Sequence, residues 1–414
     1  MERRRTAGPF AQVVIDLDTT SFFVIVAAAA AAALFVLAIG RWVPLPVVVV
    51  ELVLGIIIGP QVLDLAQPDQ FITFFADLGL GMLFFFAGFE IDFGRIKGRP
   101  LQLAAWGWAL SLVLAYGIGG VLALAGIVLS FVYTGSALAT TAIGTLIPIL
   151  RDEGELRTRF GTYLLGAGAV GEFGPILLIT LVLTTTSTLK NALILVAFVT
   201  LAVLAAVLAV RSINTSWGAL QRTIESSGQA AVRVAVVLVF GMVALASELG
   251  LDILLGGFVA GIITRLALQG REVRIFESKL TAVGYGFFIP FFFIVSGMRF
   301  DLDSLVESPG AVAKMFLFFG LFLVVRGVPA LLLYRRILDG RDRAALAFFS
   351  ATQLPLVVAI TTIALDAGKM RTSTAAALVG AAILSTLVFP LVGLRLRKGR
   401  AALDMEPDLP AVPA

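Results

Sequence analysis

Residues 84–93 read FFFAGFEIDF, and residues 291–302 read FFFIVSGMRFDL. Each stretch follows a triple phenylalanine with a glycine (Gly88, Gly297). A charged residue stands two positions on (Glu90, Arg299) and an aspartate two further (Asp92, Asp301). A second match precedes each copy. Residues 52–59 read LVLGIIIG and 254–261 read LLGGFVAG, with small residues four apart at Gly55/Gly59 and Gly257/Gly261. A third, Leu165-Gly166-Ala167 against Val379-Gly380-Ala381, is weak enough to arise from apolar composition alone. The chain is internally repeated, and what surrounds the copies sets their relative orientation.

The surroundings are apolar. Of 414 residues, 59% are hydrophobic and 14% charged, far more apolar surface than a water-soluble domain can hide. Segments of roughly 17–25 apolar residues read as membrane-crossing helices. They fall near 21–40, 43–59, 71–89, 101–125, 127–150, 159–185, 189–210, 230–249, 252–268, 282–298, 311–334, 343–365 and 373–394, about thirteen in all. The copies pair the second segment with the ninth, the third with the tenth and the sixth with the thirteenth. A separation of seven crossings is odd, so the halves have opposite orientation in the membrane. The seventh segment links them. Inverted-topology repeats of this kind are a mark of secondary transporters.

Loop charges test the count. Alternate loops carry Arg41; Arg95, Lys97, Arg99; Arg151, Arg157, Arg159; Arg211, Arg222; Arg265, Arg271, Arg274, Lys279; Arg335, Arg336, Arg341, Arg343; and Arg395, Arg397, Lys398, Arg400, which is twenty-one basic residues. The opposite loops carry Lys190, Arg299, Lys369 and Arg371, which is four. Basic loops face the cytoplasm, which places the N-terminus outside and the C-terminus inside a cell membrane. Arg3 to Arg5 conflict with this and are outvoted. The first apolar run, from Ser21 to Ile39, is too long for a signal-peptide core and reads as a first crossing. Residues 401–414 form a short polar tail.

The chain has no cysteine and no histidine. That excludes disulfides, thiol nucleophiles, the usual zinc ligands and the usual pH switch. No cofactor motif is present, and the basic residues are too dispersed for nucleic acid. The loops show no nucleophile–base set, so the chain is not read as an enzyme.

Charge inside the spans is the sharper signal, because an ionisable residue at the bilayer centre costs about 2.5–3.5 kcal/mol on insertion scales. Glu172 lies near the middle of the sixth span, in GAGAVGEFGP (166–175). Its glycines let other backbones approach closely. Pro175 has no N–H, so the carbonyl of Gly171 is expected to lose its helical partner. A carboxylate beside a free carbonyl would hold a proton or a small metal ion, Na+ or K+, in turn. The competing reading is a structural carboxylate satisfied by a neighbouring helix. Arg326, in LFLVVRGVPA (321–330), is too deep to reach either interface and needs a carboxylate or a helix C-terminus as partner. It would either compensate the charge of the site or form an inert pair. Glu51, in VELVLG (50–55), is a gating or proton-path candidate, or simply hydrogen-bonds a neighbouring helix.

Two spans look interrupted. The fifth contains TGSALATTAIGTLIP, with Thr140, Thr141, Gly144 and Pro148; the twelfth contains SATQLPLVVAITT, with Thr352, Gln353 and Pro355. They hold equivalent places in the two halves. Paired interruptions point to a midplane site where half-helix ends face an ion; singly, each could be a mere kink.

These stretches resemble the second monovalent cation:proton antiporter family, the Kef-like and sodium/proton-exchanger-like group. LPVVVVELVLGIIIGP (45–60) is similar to its first conserved helix. DLGLGMLFFFAGFEIDF (77–93) and GYGFFIPFFFIVSGMRFDL (284–302) are similar to its glycine/phenylalanine helices, and RTRFGTYLLGAGAVGEFGP (157–175) to the helix with its ion-binding acid. The resemblance covers nearly the whole chain. It implies an all-α membrane fold of thirteen helices with crossed discontinuous helices, working as a homodimer. Residues 21–98 and 230–300 would form a dimer scaffold, and 101–185 and 311–396 a core that moves like an elevator. Glu172 would take the place of the family's ion-binding aspartate, and Arg326 that of a basic residue near the site. The sequence departs from the family at Gly171, where relatives carry Asp, Asn or Gln. It departs again at Thr352-Gln353-Leu354-Pro355-Leu356, where many carry a Gln-Arg-Gly-Glu-Phe-like run.

The expectation is therefore electroneutral exchange of a monovalent cation for protons through Glu172, with Thr140, Thr141, Gln353 and local carbonyls such as that of Gly171 as neutral helpers. The alternatives are a cation- or proton-coupled symporter of a small solute, and a transport-inactive sensor or scaffold on the same fold.

Overall fold

In hydrocarbon a chain must satisfy its own backbone hydrogen bonds, so long apolar segments fold as helices. The computed structural model describes residues 18–39, 46–91, 93–178, 188–224, 229–251, 253–268, 274–306, 309–401 and 404. Arg3 to Arg5, Arg41, Asp92, Arg271, residues 179–185 of the sixth expected span and residues 402–403 and 405–414 of the tail lie outside the described residues.

In chain order the helices are α1 (Thr19–Ile39), α2 (Val47–Ile58), α3 (Gln70–Phe89), the short α4 (Phe93–Ile96), α5 (Arg99–Leu124), α6 (Phe131–Leu138), α7 (Ile143–Asp152), α8 (Arg159–Leu178), α9 (Thr188–Ile224), α10 (Ala230–Glu248), α11 (Ile253–Ala267), α12 (Arg274–Val283), α13 (Ile289–Met298), the short α14 (Leu302–Val306), α15 (Pro309–Leu333), α16 (Gly340–Ser350), α17 (Pro355–Asp366) and α18 (Thr372–Arg397). A π-helical turn, Gly284–Phe288, joins α12 to α13. With α6/α7, α12/α13 and α16/α17 each read as one crossing and the two short helices set aside, thirteen crossings result. Nine helical stretches among the described residues are long and apolar enough to span a bilayer, and Val47–Ile58, Phe131–Ile147 and Ile253–Ala267 are shorter apolar ones. The protein is a multi-pass membrane protein.

Two boundaries depart from expectation. The tenth crossing, expected over 282–298, begins with α12 at Arg274, and the seventh, expected over 189–210, runs in α9 to Ile224. Residues 211–224 contain no proline and a single glycine, so nothing stops the helix where the apolar run ends.

The repeat appears as two matching contacts. α2 packs on α13, and α11 packs on α3. In the first contact, a side chain on Gly55 would strike the Ile294 carbonyl and one on Gly297 the Leu52 carbonyl. In the second, Gly261 lies against the Phe85 carbonyl and Gly88 against that of Phe258. The second crossing thus meets the tenth as the ninth meets the third, backbone against backbone, which only a missing Cβ permits. The glycines that revealed the repeat are the residues that make these contacts. The second group of crossings packs α5 on α8, α15 on α18 and α16 on both α15 and α18. Inside it the two broken crossings meet.

Candidate ion-binding site

α6 ends at Leu138 and α7 begins at Ile143; α16 ends at Ser350 and α17 begins at Pro355. Pro355 has no N–H to extend a helix backward, which helps set the second break. The two extended segments cross and bond directly: the N–H of Ala142 donates to the Thr352 carbonyl at 2.9 Å. Each break is also tied to the helix beside it. The Thr141 N–H donates to the Gly171 carbonyl at 3.0 Å, and the Gln353 N–H to Ser385 Oγ at 3.0 Å. These are equivalent bonds in the two halves, α8 serving one and α18 the other.

The carbonyls released at the helix ends are all buried and need donors. Leu138 O accepts from Gln353 Nε2 at 3.3 Å, and Ala139 O from Trp108 Nε1 at 3.1 Å. Ser350 O accepts from Thr141 Oγ1 at 2.6 Å and from Arg326 Nε at 3.4 Å. The Thr140 hydroxyl faces Ala137 O, 3.0 Å away, and Gln353 Oε1. Thr140, Thr141 and Gln353 are thus brought together at the crossing. Their polar groups are engaged with the breaks and with Arg326.

Arg326 is 4% exposed and forms none of the ion pairs among the described residues. Its Nε donates to Thr141 Oγ1 at 2.9 Å, Nη1 to Ser111 Oγ at 3.2 Å and Nη2 to Ala167 O at 3.2 Å. Of the two partners that the sequence offered, the structure supplies the helix C-terminus, that of α16. A cation there complements the negative end of the helix dipole. Gly171 makes room for it: a methyl group on Gly171 would collide with Arg326 Nη2 and approach Thr141 Oγ1 to 2.7 Å. Pro175 lies inside α8. The expectation of a free Gly171 carbonyl is corrected, because the extended break brings the Thr141 N–H to it.

Glu172 follows Gly171 on α8 and turns the other way. It is 2% exposed. Its carboxylate faces the backbone N–H groups of Gly144 and Ile143, the first residues of α7, with Oε1 3.8 Å from where a Cβ on Gly144 would stand. This is the positive end of a half-helix, a natural seat for an anion. One oxygen, Oε2, has no hydrogen-bond partner. The arrangement holds one carboxylate oxygen toward backbone donors and leaves the other able to take a proton or coordinate a hard cation. Glu51, on α2, is 3% exposed, and its Oε2 likewise lacks a partner; a neighbouring helix does not satisfy both of its oxygens.

Several residues at the site had no clear sequence signal. Trp108, Ser111, Ser350 and Ser385 are ordinary in apolar helices. Tyr285 stands in the π turn and donates to the Gly144 carbonyl at 3.4 Å. Glu90, at the end of α3, pairs with Arg151 of α7 at 3.2 Å, and the same Arg151 nitrogen pairs with Glu277 of α12 at 3.0 Å. The swapped charges Glu90 and Arg299 in the quoted repeat were the available clue. At the opposite end of the bundle, a cavity of about 310 Å³ lies between α3/α13 and α17/α18, with Asp77, Ser296, Arg299 and Thr362 in its wall.

A family profile described as sodium/hydrogen exchanger, transmembrane, matches residues 29–394. The Bacillus subtilis protein YjbQ, named for Na(+)/H(+) antiport, is 26% identical over 382 residues, covering 86% of this chain and 59% of its own. The Na(+)/H(+)-K(+) antiporter GerN of Bacillus cereus is 27% identical over 270 residues, 63% of this chain and 67% of its own. The chain thus spans about three fifths to two thirds of the length of these relatives. Among solved structures, the sodium proton antiporter MjNhaP1 of Methanocaldococcus jannaschii at pH 8 has the same fold, with a TM-score of 0.59 at 15% identity, covering 93% of this chain and 98% of its own.

Proposed function

The chain belongs to the sodium/hydrogen exchanger family, and from that premise we propose that it exchanges a monovalent cation, Na+ or K+, for protons, with Glu172 holding each in turn. The observation that carries this reading is the unpartnered Oε2 of a carboxylate that is 2% exposed and seated on the N-terminus of α7. An unmade bond in a dry interior costs about 1–3 kcal/mol; Glu51 also leaves an oxygen unpartnered, and the seat at the start of α7, beside the crossing, singles out Glu172. An exchange group must keep a place open. Because the same oxygens cannot hold H+ and a metal ion together, occupancy couples the two fluxes. The names of the relatives, Na(+)/H(+) and Na(+)/H(+)-K(+) antiporters, support both ions as substrates.

Exchange is one for one and electroneutral, with Glu172 the group that changes occupancy. Arg326 is held by neutral oxygens and an α16 carbonyl, so it offsets the negative helix end and the ionised acid without titrating in the cycle. Thr140, Thr141, Gln353 and Gly171 keep the crossing in shape. The crossing, with α5, α8, α15 and α18, moves as a core against α1–α3 and α10–α13, which also form the homodimer contact. Twenty-one basic residues in one set of loops against four in the other support an outside N-terminus and a cytoplasmic C-terminus in a cell membrane.

The test is dye-monitored proton flux in proteoliposomes on addition of Na+ or K+. The unaltered chain should respond, and Glu172→Gln should abolish the response. Cation-dependent proton flux that survives in Glu172→Gln ends the proposal.

A further inference from the structure

The two groups of helices are separated at one end and pinned at the other. The cavity of about 310 Å³ parts α3 and α13 from α17 and α18 at the end that carries Arg299. At the far end, Arg151 at the close of α7 reaches Glu90 on α3 and Glu277 on α12, at 3.2 and 3.0 Å. With the orientation proposed above, the open end is the outer one and the pinned end the inner one.

The repeat says what the opposite arrangement would be. In the quoted motifs Gly88 corresponds to Gly297, so Ser296 and Arg299 of the outer cavity wall correspond to Ala87 and Glu90. At the same spacing Ala76, also in that wall, corresponds to Tyr285. These three counterparts sit together at the inner end. Ala87 Cβ and Glu172 Oε1 both lie 3.8 Å from the position a Cβ on Gly144 would take, and the Tyr285 hydroxyl bonds the Gly144 carbonyl. The counterpart of the outer cavity therefore leads to the exchange carboxylate. A π turn, a distortion often found at functional sites, carries Tyr285.

Resting on the exchanger reading, we infer that Arg151 is the latch of the inner face. Its release from Glu90 and Glu277 opens a second vestibule, walled by Ala87, Glu90 and Tyr285, through which protons and cations reach Glu172. The charged and titratable groups around Glu90 are Arg151, Glu277, Arg265, Tyr285 and Glu172. Arg265 lies 5.9 Å from the Phe89 ring centre. While Arg151 bridges the two acids it fills, as a tethered cation, the place a mobile cation would pass. Once it withdraws, two carboxylates face the inner solution and draw cations toward the path. Glu90 thereby becomes a residue of the transport route, and the outer equivalent, Arg299, has the opposite sign.

The chain has no cysteine, so an introduced thiol reports without background. Ser296→Cys and Ala87→Cys are to be labelled with a membrane-impermeant maleimide in right-side-out and inside-out vesicles, with cation-driven proton flux measured on the same preparations. Ser296→Cys should label from outside. Ala87→Cys, buried in the latched state, should label slowly, and about tenfold faster from inside when Arg151→Ala or Glu277→Gln is added, as expected if a minor inward-open state becomes well populated. Arg151→Lys should restore slow labelling, which separates a latch from general loosening. Labelling of Ala87→Cys that ignores both latch variants, or that comes from outside, overturns the inference. If the unaltered chain moves no protons while labelling follows the latch, the exchanger reading fails and the latch stands.

Discussion

Gly171 and Arg326 compete for one volume: a single methyl group on the glycine would overlap Nη2 of the guanidinium. The absence of a side chain at this position is thus coupled to a buried cation on another helix. Gly171→Ala should force Arg326 off the Ala167 carbonyl. Overpacking of a dense interior costs about 1–3 kcal/mol, so the apparent melting temperature in detergent should fall, and exchange should slow further because the Thr141 anchor shifts with Arg326. Scanning fluorimetry and proteoliposome flux on the same preparation check both. Unchanged stability would mean that the guanidinium has slack the geometry does not show.

Arg326 itself divides charge from shape. Arg326→Lys keeps the cation but not the fork that reaches Thr141, Ser111 and the Ala167 carbonyl at once. Arg326→Met removes both, so that the Thr141 and Ser111 hydroxyls and the Ala167 carbonyl lose their guanidinium donors, at about 1–3 kcal/mol for each buried group left unsatisfied. The expected order of thermal stability is Arg, then Lys, then Met. If Arg326 only compensates charge, Lys should match the unaltered chain in flux; if it holds the crossing, Lys should lose most of it. The contacts point to the second outcome.

How much of this was legible beforehand depends on what each feature costs in a membrane. The crossings were visible because length and apolarity are direct demands of the bilayer. The repeat was visible because close backbone contact leaves glycine no substitute at Gly55, Gly88, Gly261 and Gly297. Glu172, Glu51 and Arg326 stood out because charge in hydrocarbon is rarely kept without cause. Ser111, Ser350, Ser385 and Trp108 did not, since such residues are common in apolar helices and mark nothing until a neighbouring helix is in place. The Gly171 carbonyl was misread because local sequence shows which helical bond Pro175 removes and not which N–H arrives from across the crossing.

The cytoplasmic loops by the proposed orientation contain a clasp whose pH response has a definite sign. Asp339 caps α16 and bonds Arg400. The Arg400 hydrogen bond, then the Asp342 N–H, hold its carboxyl down to about 2. A lowered carboxyl stabilises the fold at pH above its ordinary value near 3.9 and loses that contribution as pH falls toward 2. Asp339→Asn keeps the cap and removes the charge. The unaltered chain should be more stable than Asp339→Asn by a constant amount from pH 8 to about 5, and the difference should begin to shrink below about pH 4 and vanish only near pH 2. Half of the Asp339 side chain is exposed, so the difference should stay under about 1 kcal/mol and shrink in high salt. Thermal melts across pH decide it; convergence on the alkaline side would refute the assignment.

Behind that exposed pair lies a buried one, and its energetics differ in kind. The Arg397 side chain is 1% exposed and that of Glu155 3%. Arg397 Nε bonds both Glu155 oxygens at 3.1 Å, Nη2 bonds Oε2 at 2.8 Å, and the guanidinium lies 4.3 Å from the Phe160 ring centre. Nη1 stands 2.9 Å from Asp342 Oδ1, an ion pair rather than a well-directed hydrogen bond. These contacts join the end of α18 to the turn before α8, the helix that carries Glu172. Removing one partner strands a buried charge, so Arg397→Met should cost about 3–5 kcal/mol. Removing both leaves no stranded charge between them, so Arg397→Met with Glu155→Gln should cost clearly less than the sum of the single changes. A double-mutant cycle on thermal stability gives the coupling directly. If exchange falls in Arg397→Met and recovers in the double variant, the clasp acts by positioning α8; if flux stays low in the double variant while stability returns, the guanidinium matters to transport in its own right.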